Sequence, residues 1–159
     1  MIKKIFFSIF AAFLAFRSYE MLKTLWFAEP SDFVLLNKIL LSVLLNLFIT
    51  GIFAFIGFAY NTNRILGDNY YQIKNPKLIS KLYKHLKVEY FKKFVLLLFW
   101  GKKKNRQKYF DGTRLGLEKF DYRTRQSEFG HLASLIVIQC AVLFLLIKEH
   151  YAIAILTSF

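Results

Sequence analysis

Cysteine is nearly missing from the 159 residues. Cys140 stands alone, which excludes an intrachain disulfide framework, and its place in an apolar run predicts a buried, inert thiol. With two Pro and seven Gly the chain is neither collagen-like nor low-complexity. Acidic residues are scarce: 10 Asp and Glu stand against 23 Lys and Arg, a formal net charge of +13. A Gly-rich phosphate loop, paired cysteines, a Gly-x-Ser-x-Gly elbow and a metalloprotease His-Glu pair are all lacking, which argues against the enzyme classes that those motifs serve. What is abundant is apolar: 56% hydrophobic and 19% aromatic residues rule out a disordered basic tail.

The apolar residues are segregated from the charges. Ile39 to Phe58 holds no ionisable side chain, and at about 1.5 Å per residue it reaches roughly 30 Å, the thickness of a bilayer core. Phe129 to Ile147 is nearly as long, interrupted by His131 and the uncharged Gln139. Ile5 to Phe16 is shorter and follows Lys3 and Lys4, as the apolar region of a signal peptide would, but no small-x-small cleavage pattern comes after it, so a short uncleaved helix is the favoured reading. Tyr151 to Phe159 is too short to span: either the chain stops short of a full span, or the segment rests at an interface or against a partner. The expected fold is an all-α integral membrane protein forming one membrane domain, 1–159, with three to four membrane helices (about 5–27, 34–60, 128–147 and 151–159). A basic amphipathic interfacial helix belongs to the 61–127 segment.

Charge asymmetry orients the spans. Between Ala59 and Glu128 lie 17 Lys and Arg against 6 Asp and Glu, a net +11, whereas Arg17 to Lys38 sums to zero. The positive-inside rule therefore places the N-terminus and the 61–127 segment in the cytoplasm, and the 17–38 loop and the Lys148-Glu149-His150 turn outside. Trp26 and Phe27 at one end and Tyr60 at the other suit an interfacial aromatic belt.

From Pro76 to about Leu97 the helical period gathers Ile79, Leu82, Tyr83, Leu86, Tyr90, Phe94 and Leu97 on one face, with Lys77, Lys81, Lys84, Lys87 and Lys92 on the other. This predicts a helix in the membrane plane with snorkelling lysines, or a helix packed on the bundle with a solvated basic face. Membrane headgroups account for the charge, and nucleic acid is not an expected partner.

Among the three histidines, His85 reads as solvated and His150 as an unremarkable residue of an external turn. His131 differs because it follows Glu128 by three residues, on the same helical face and near the start of a span. Gln139 projects within roughly 80° of it, so a polar stripe enters the bilayer. Ionisable groups at membrane depth are functional hypotheses by default. Glu128 orienting His131 as a general base fits acyl transfer between oxygens. A metal role needs further carboxylates, and Ile39 to Phe58 offers none. The plain alternative is that Glu128 caps the helix while His131 bonds to a neighbouring helix. Ser42, Asn46, Thr50 and Gly57 form a small, polar strip suited to close packing and to meeting Gln139. Upstream, Asp111-Gly112 reads as a turn, and Arg106, Arg114 and Arg125 are candidates to hold a phosphate or carboxylate.

The Trp100-x-x-Lys run, the Asp111-Gly112 step, Glu128-x-x-His131 opening an apolar helix, and the paired helices at the end together resemble the glycosyl-diaponeurosporenoate acyltransferases, small membrane enzymes of staphyloxanthin-type carotenoid synthesis. The resemblance covers roughly Phe99 to the C-terminus. It implies a bacterial cytoplasmic-membrane enzyme that esterifies a glycosylated terpenoid with a fatty acyl chain, with Glu128 and His131 at the family's Glu-x-x-His positions. An acyl thioester is the expected donor, and no tightly bound cofactor or metal is expected. Partners would be the lipid substrate, anionic membrane lipids, and a second copy or a partner membrane protein. The competing reading is a non-enzymatic scaffold or subunit that binds anionic lipid and partner helices.

Overall fold

The computed structural model describes residues 1–102, 107 and 112–158. Every regular element among them is helical. The chain divides into two compact units, Met1–Thr62 with Gln126–Phe159, and Asn63–Arg125.

The first unit holds α1 (Ile2–Phe27), a 3-10 turn (Pro30–Asp32), α2 (Leu35–Ala59), the C-terminal part of α6 (Arg114–Ile147) and α7 (Tyr151–Ser158). Helices α1, α2 and α6 are long and apolar enough to cross a membrane, with mean hydropathy of 1.5, 2.6 and 2.3 over their best windows. Helix α1 runs past its apolar stretch because Arg17 and Glu20 pair at 2.6 Å one turn apart. It stops at Ala28 and Glu29, both in extended backbone, the second held there by Pro30. The Glu29 amide then donates to Asp32 Oδ2 at 2.9 Å, which closes the turn into α2.

Burial in this unit has the character of a membrane bundle. Leu25, Leu45, Ile49, Ala141, Val142, Leu145, Ile153 and Ala154 form the core, and the other buried residues include Ser18, Ser42 and Ser134. Large apolar side chains such as Phe13, Phe16, Leu47, Ile136 and Leu143 face outward. Serines and alanines buried beside Leu and Ile, with many large apolar side chains facing outward, form the distribution expected where lipid, not water, covers the surface. A Cβ on Gly51 would stand 2.6 Å from Leu14 Cδ1, a measure of how closely α1 and α2 approach. Cys140 is exposed and not buried as expected, because it lies on the outward side of α6.

The two ends of the bundle are distinct. At one, Ser8 and Tyr60 share a hydroxyl hydrogen bond of 3.2 Å, Lys4 stands 6.0 Å from the Tyr60 ring, and Gln126 Nε2 donates to the carbonyls of Gly57 and Tyr60. At the other, Lys148 Nζ lies 3.7 Å from the Trp26 ring, which packs on Phe144, and His150 Nε2 donates to the Leu25 carbonyl at 2.8 Å. The N-terminus and both connections to residues 63–125 thus share one end, as the charge distribution predicts. His150 is no unremarkable turn residue: it is 2% exposed, its ring faces Phe33 edge-on, and it ties the α6–α7 turn to the end of α1. The turn is a Schellman motif. The amides of His150 and Glu149 return to the carbonyls of Leu145 and Leu146, with Glu149 at φ 61° where glycine is usual.

The short α7 lies against α2. Ser42 Oγ reaches the Ile153 carbonyl at 3.3 Å, and Asn46 Nδ2 donates to the Thr157 carbonyl at 3.1 Å. At Ser42, Asn46 and Gly57 the polar strip of α2 is a packing face, but its partners are the backbone of α7 and, at Gly57, Gln126; Thr50 is exposed, and Gln139 is exposed and makes no hydrogen bond with a described residue.

The second unit contains α3 (Asp68–Tyr71), α4 (Pro76–His85), α5 (Val88–Val95), a π turn (Leu96–Trp100) and the first part of α6. Asn75 caps α4, its Oδ1 accepting from the Leu78 amide at 3.1 Å, with Pro76 in the first helical position. The single helix expected from Pro76 to about Leu97 is instead two. Lys87 takes a left-handed conformation, φ 52°, between them, and no Gly or Pro signals the break. Helix α6 starts at Arg114, well before the expected 128. Gly112 takes φ +87° just before it, and the Thr113 hydroxyl caps the helix by accepting from the Gly116 amide at 2.9 Å. Residues 114–127 lack an apolar run, so hydropathy could not reveal them as helix.

Candidate functional site

The sequence-predicted residues fall into three groups. Glu128, His131 and Gln139 belong to the first unit, on one helix. Gly130 points at α2, where a Cβ would stand 4.0 Å from the Phe53 carbonyl, and Gln126, Ser134 and Ala141 share that inward side. Counting about 100° per residue from Gly130, His131 lies at the edge of the packed face and Glu128 and Gln139 beyond it. Glu128 is half-buried and His131 exposed, one turn apart. Neither side chain hydrogen-bonds with the other or with another described residue. The inward-facing Gln126, two residues before Glu128, escaped sequence reasoning. Its signal was a lone amide side chain at the mouth of an apolar run.

Arg125 and Arg114 belong to the second unit. Arg125 Nη1 lies 2.6 Å from Asp68 Oδ1 and its Nε 2.9 Å from Asp121 Oδ2. The guanidinium carbon stands 4.4 Å from the Tyr71 ring centre, and the Tyr71 hydroxyl donates to the Arg125 carbonyl at 3.4 Å. The expected anion-holding arginine is thus engaged by two carboxylates and an aromatic face, and it fastens α3 to α6. Arg114 sits exposed in the first turn of α6. Arg106 and Asp111 lie outside the described residues.

A shallow cavity of about 410 Å³ runs along α1, lined by Phe16, Tyr19, Glu20, Lys23, Thr24 and Phe27, in the half of the bundle that holds Leu25 and away from Gln126. Among the described residues no three His, Cys, Asp or Glu side chains come together as a metal site.

These features define an all-helical membrane protein whose ionisable pair opens a span. The chain belongs to the glycosyl-4,4'-diaponeurosporenoate acyltransferase family, whose profile matches residues 67–159, more than half of its length. The match begins upstream of Phe99 and takes in α3 to α7. No curated protein and no solved structure shows a significant match.

Proposed function

We propose that the protein is a bacterial cytoplasmic-membrane O-acyltransferase that moves a fatty acyl group from a thioester to a hydroxyl of a glycosylated terpenoid or similar lipid at the cytoplasmic face. The observation that carries this reading is the family match over residues 67–159, which includes the Glu128-x-x-His131 pair. His131 takes the proton of the acceptor hydroxyl as its oxygen attacks the thioester carbonyl carbon; the new C–O bond forms, the C–S bond breaks, and the proton passes to the departing thiolate. Glu128, one turn away, is a positioning residue that engages the imidazole when the acceptor is bound and offsets its charge. Gln139 hydrogen-bonds to the acceptor. Arg106, Asp111 and Arg114 are the candidates to meet the donor's phosphates, and Arg125 holds α3 to α6 through Asp68 and Asp121.

Turnover in reconstituted vesicles, with lipids read by mass spectrometry, tests the assignment. His131→Ala should lower kcat by about 10²–10⁴-fold, the usual contribution of a general base. Glu128→Gln should shift the pH profile, and Glu128→Asp should restore part of it. Unacylated glycolipid should accumulate with His131→Ala. Full activity of both His131→Ala and Glu128→Gln would reject the roles. Identical lipid profiles with and without the substitutions would favour the scaffold reading.

A further inference from the structure

Helices α4 and α5 bury no residue, although half their side chains are apolar. At about 100° per residue, Leu78, Ile79, Leu82, Tyr83 and Leu86 share an arc of about 140° on α4, opposite Lys77, Lys81 and Lys84. On α5, Tyr90, Phe91 and Phe94 stand opposite Glu89, Lys92 and Lys93. Exposures of 66% for Leu86, 71% for Tyr90 and 68% for Phe91 mark a face that water does not favour. Six lysines accompany it against one glutamate.

We propose that α4 and α5 together form a docking surface for an anionic lipid leaflet, with Lys87 as the joint that lets each short helix lie flat. Three observations select lipid. The apolar arc is broad, as bilayer immersion requires, and narrower stripes serve helix pairs. The charge complements acidic headgroups, with Lys stems long enough to snorkel beside the apolar face. Both connections to this unit leave from the same end of the membrane bundle, where Gln126 bonds to the last turn of α2, so the chain returns twice to one membrane surface. The proposal does not rest on the acyltransferase reading.

The test uses the full chain with Cys140→Ser, in nanodiscs of phosphatidylcholine with or without phosphatidylglycerol. An environment-sensitive fluorophore is attached to single cysteines replacing Leu82, Phe94, Lys81 or Lys92. In anionic discs, labels at 82 and 94 should shift to the blue and be quenched by nitroxide-bearing lipid, while those at 81 and 92 should not. Replacing Lys77, Lys81 and Lys84 with Gln should lower the docked-to-free ratio at position 82 on the order of 100-fold, as three surface charges imply. Equal quenching at all four positions, or quenching at 82 and 94 that ignores lipid charge, would overturn the proposal. So would shielding that grows with protein concentration without lipid quenching, the result expected if a second copy covers the face.

Discussion

Asn46→Leu should loosen α7 from α2 far more than Ser42→Ala, and the difference follows from counting donors. The Asn46 amide has two N–H groups, one bonded to the Ser42 carbonyl within its own helix at 3.2 Å and one to the Thr157 carbonyl at 3.1 Å. Thr157 lies in the last turn of α7, where carbonyls lack an intrahelical partner, so losing Asn46 leaves that oxygen orphaned. Interhelical hydrogen bonds within membranes average about 0.6 kcal/mol and reach about 1.7. With an orphaned acceptor added, a loss of about 1–2 kcal/mol is expected, a factor of roughly 5–30 in the docking equilibrium. Ser42 has one proton, and its hydroxyl lies 2.8 Å from the Lys38 carbonyl, closer than the 3.3 Å to Ile153, so its removal costs little docking energy. The assay is maleimide labelling of Ala154→Cys in micelles, with Cys140→Ser, because Ala154 is 1% exposed and reacts only when α7 lifts. Labelling should accelerate about 5–30-fold with Asn46→Leu, in line with that equilibrium. Acceleration below twofold, or an equal effect from Ser42→Ala, would refute the reasoning.

Arg125→Lys keeps the charge but loses the planar fork and the stacking on Tyr71, so limited proteolysis of residues 63–125 should quicken. High salt should reproduce part of that effect in the wild type, since Asp68 and Asp121 are well exposed. Glu149→Gly should raise the thermal midpoint, because relief of the left-handed strain, about 1–2 kcal/mol, exceeds the backbone entropy of one glycine. An unchanged or lower midpoint would contradict it. His150→Ala should lower stability by about 2–3 kcal/mol through a cavity and an unpaired Leu25 carbonyl, while His150→Phe, which retains the volume, should lose less; calorimetric or fluorescence melting in detergent checks the order.

The spans were legible because uninterrupted apolar runs have few other physical outcomes. Opposite placement of Trp26 and Tyr60 followed from the same reasoning, since alternating spans bring alternate loops together. The start of α6 was not legible: Arg114 to Ser127 is held by a Thr113 cap and an Asp121–Arg125 pair, neither of which alters hydropathy. The break at Lys87 left no trace because lysine carries no conformational signature, and the apolar period continues through it. For the polar strip of α2, the sequence marked Ser42 and Asn46 as a packing face but could not identify the partner, since backbone carbonyls of α7 have no identity in a sequence. The Glu128–His131 spacing was readable from the helical repeat alone. The engagement of Arg125 was not, because Asp68 lies far away in the chain.

The way Ser42 and Asn46 bond also bears on biogenesis. Each returns a hydrogen bond to its own helix, Ser42 to Lys38 and Asn46 to Ser42, besides reaching α7. During synthesis, α1 and α2 emerge before the segment that contains α7 and can enter lipid with the Ser42 hydroxyl and one of the two Asn46 N–H groups already bonded. The hairpin is then a first stage that waits for the rest of the chain with one amide N–H still unmet. Late arrival of α7 completes the Asn46 amide and gives the Thr157 carbonyl its donor.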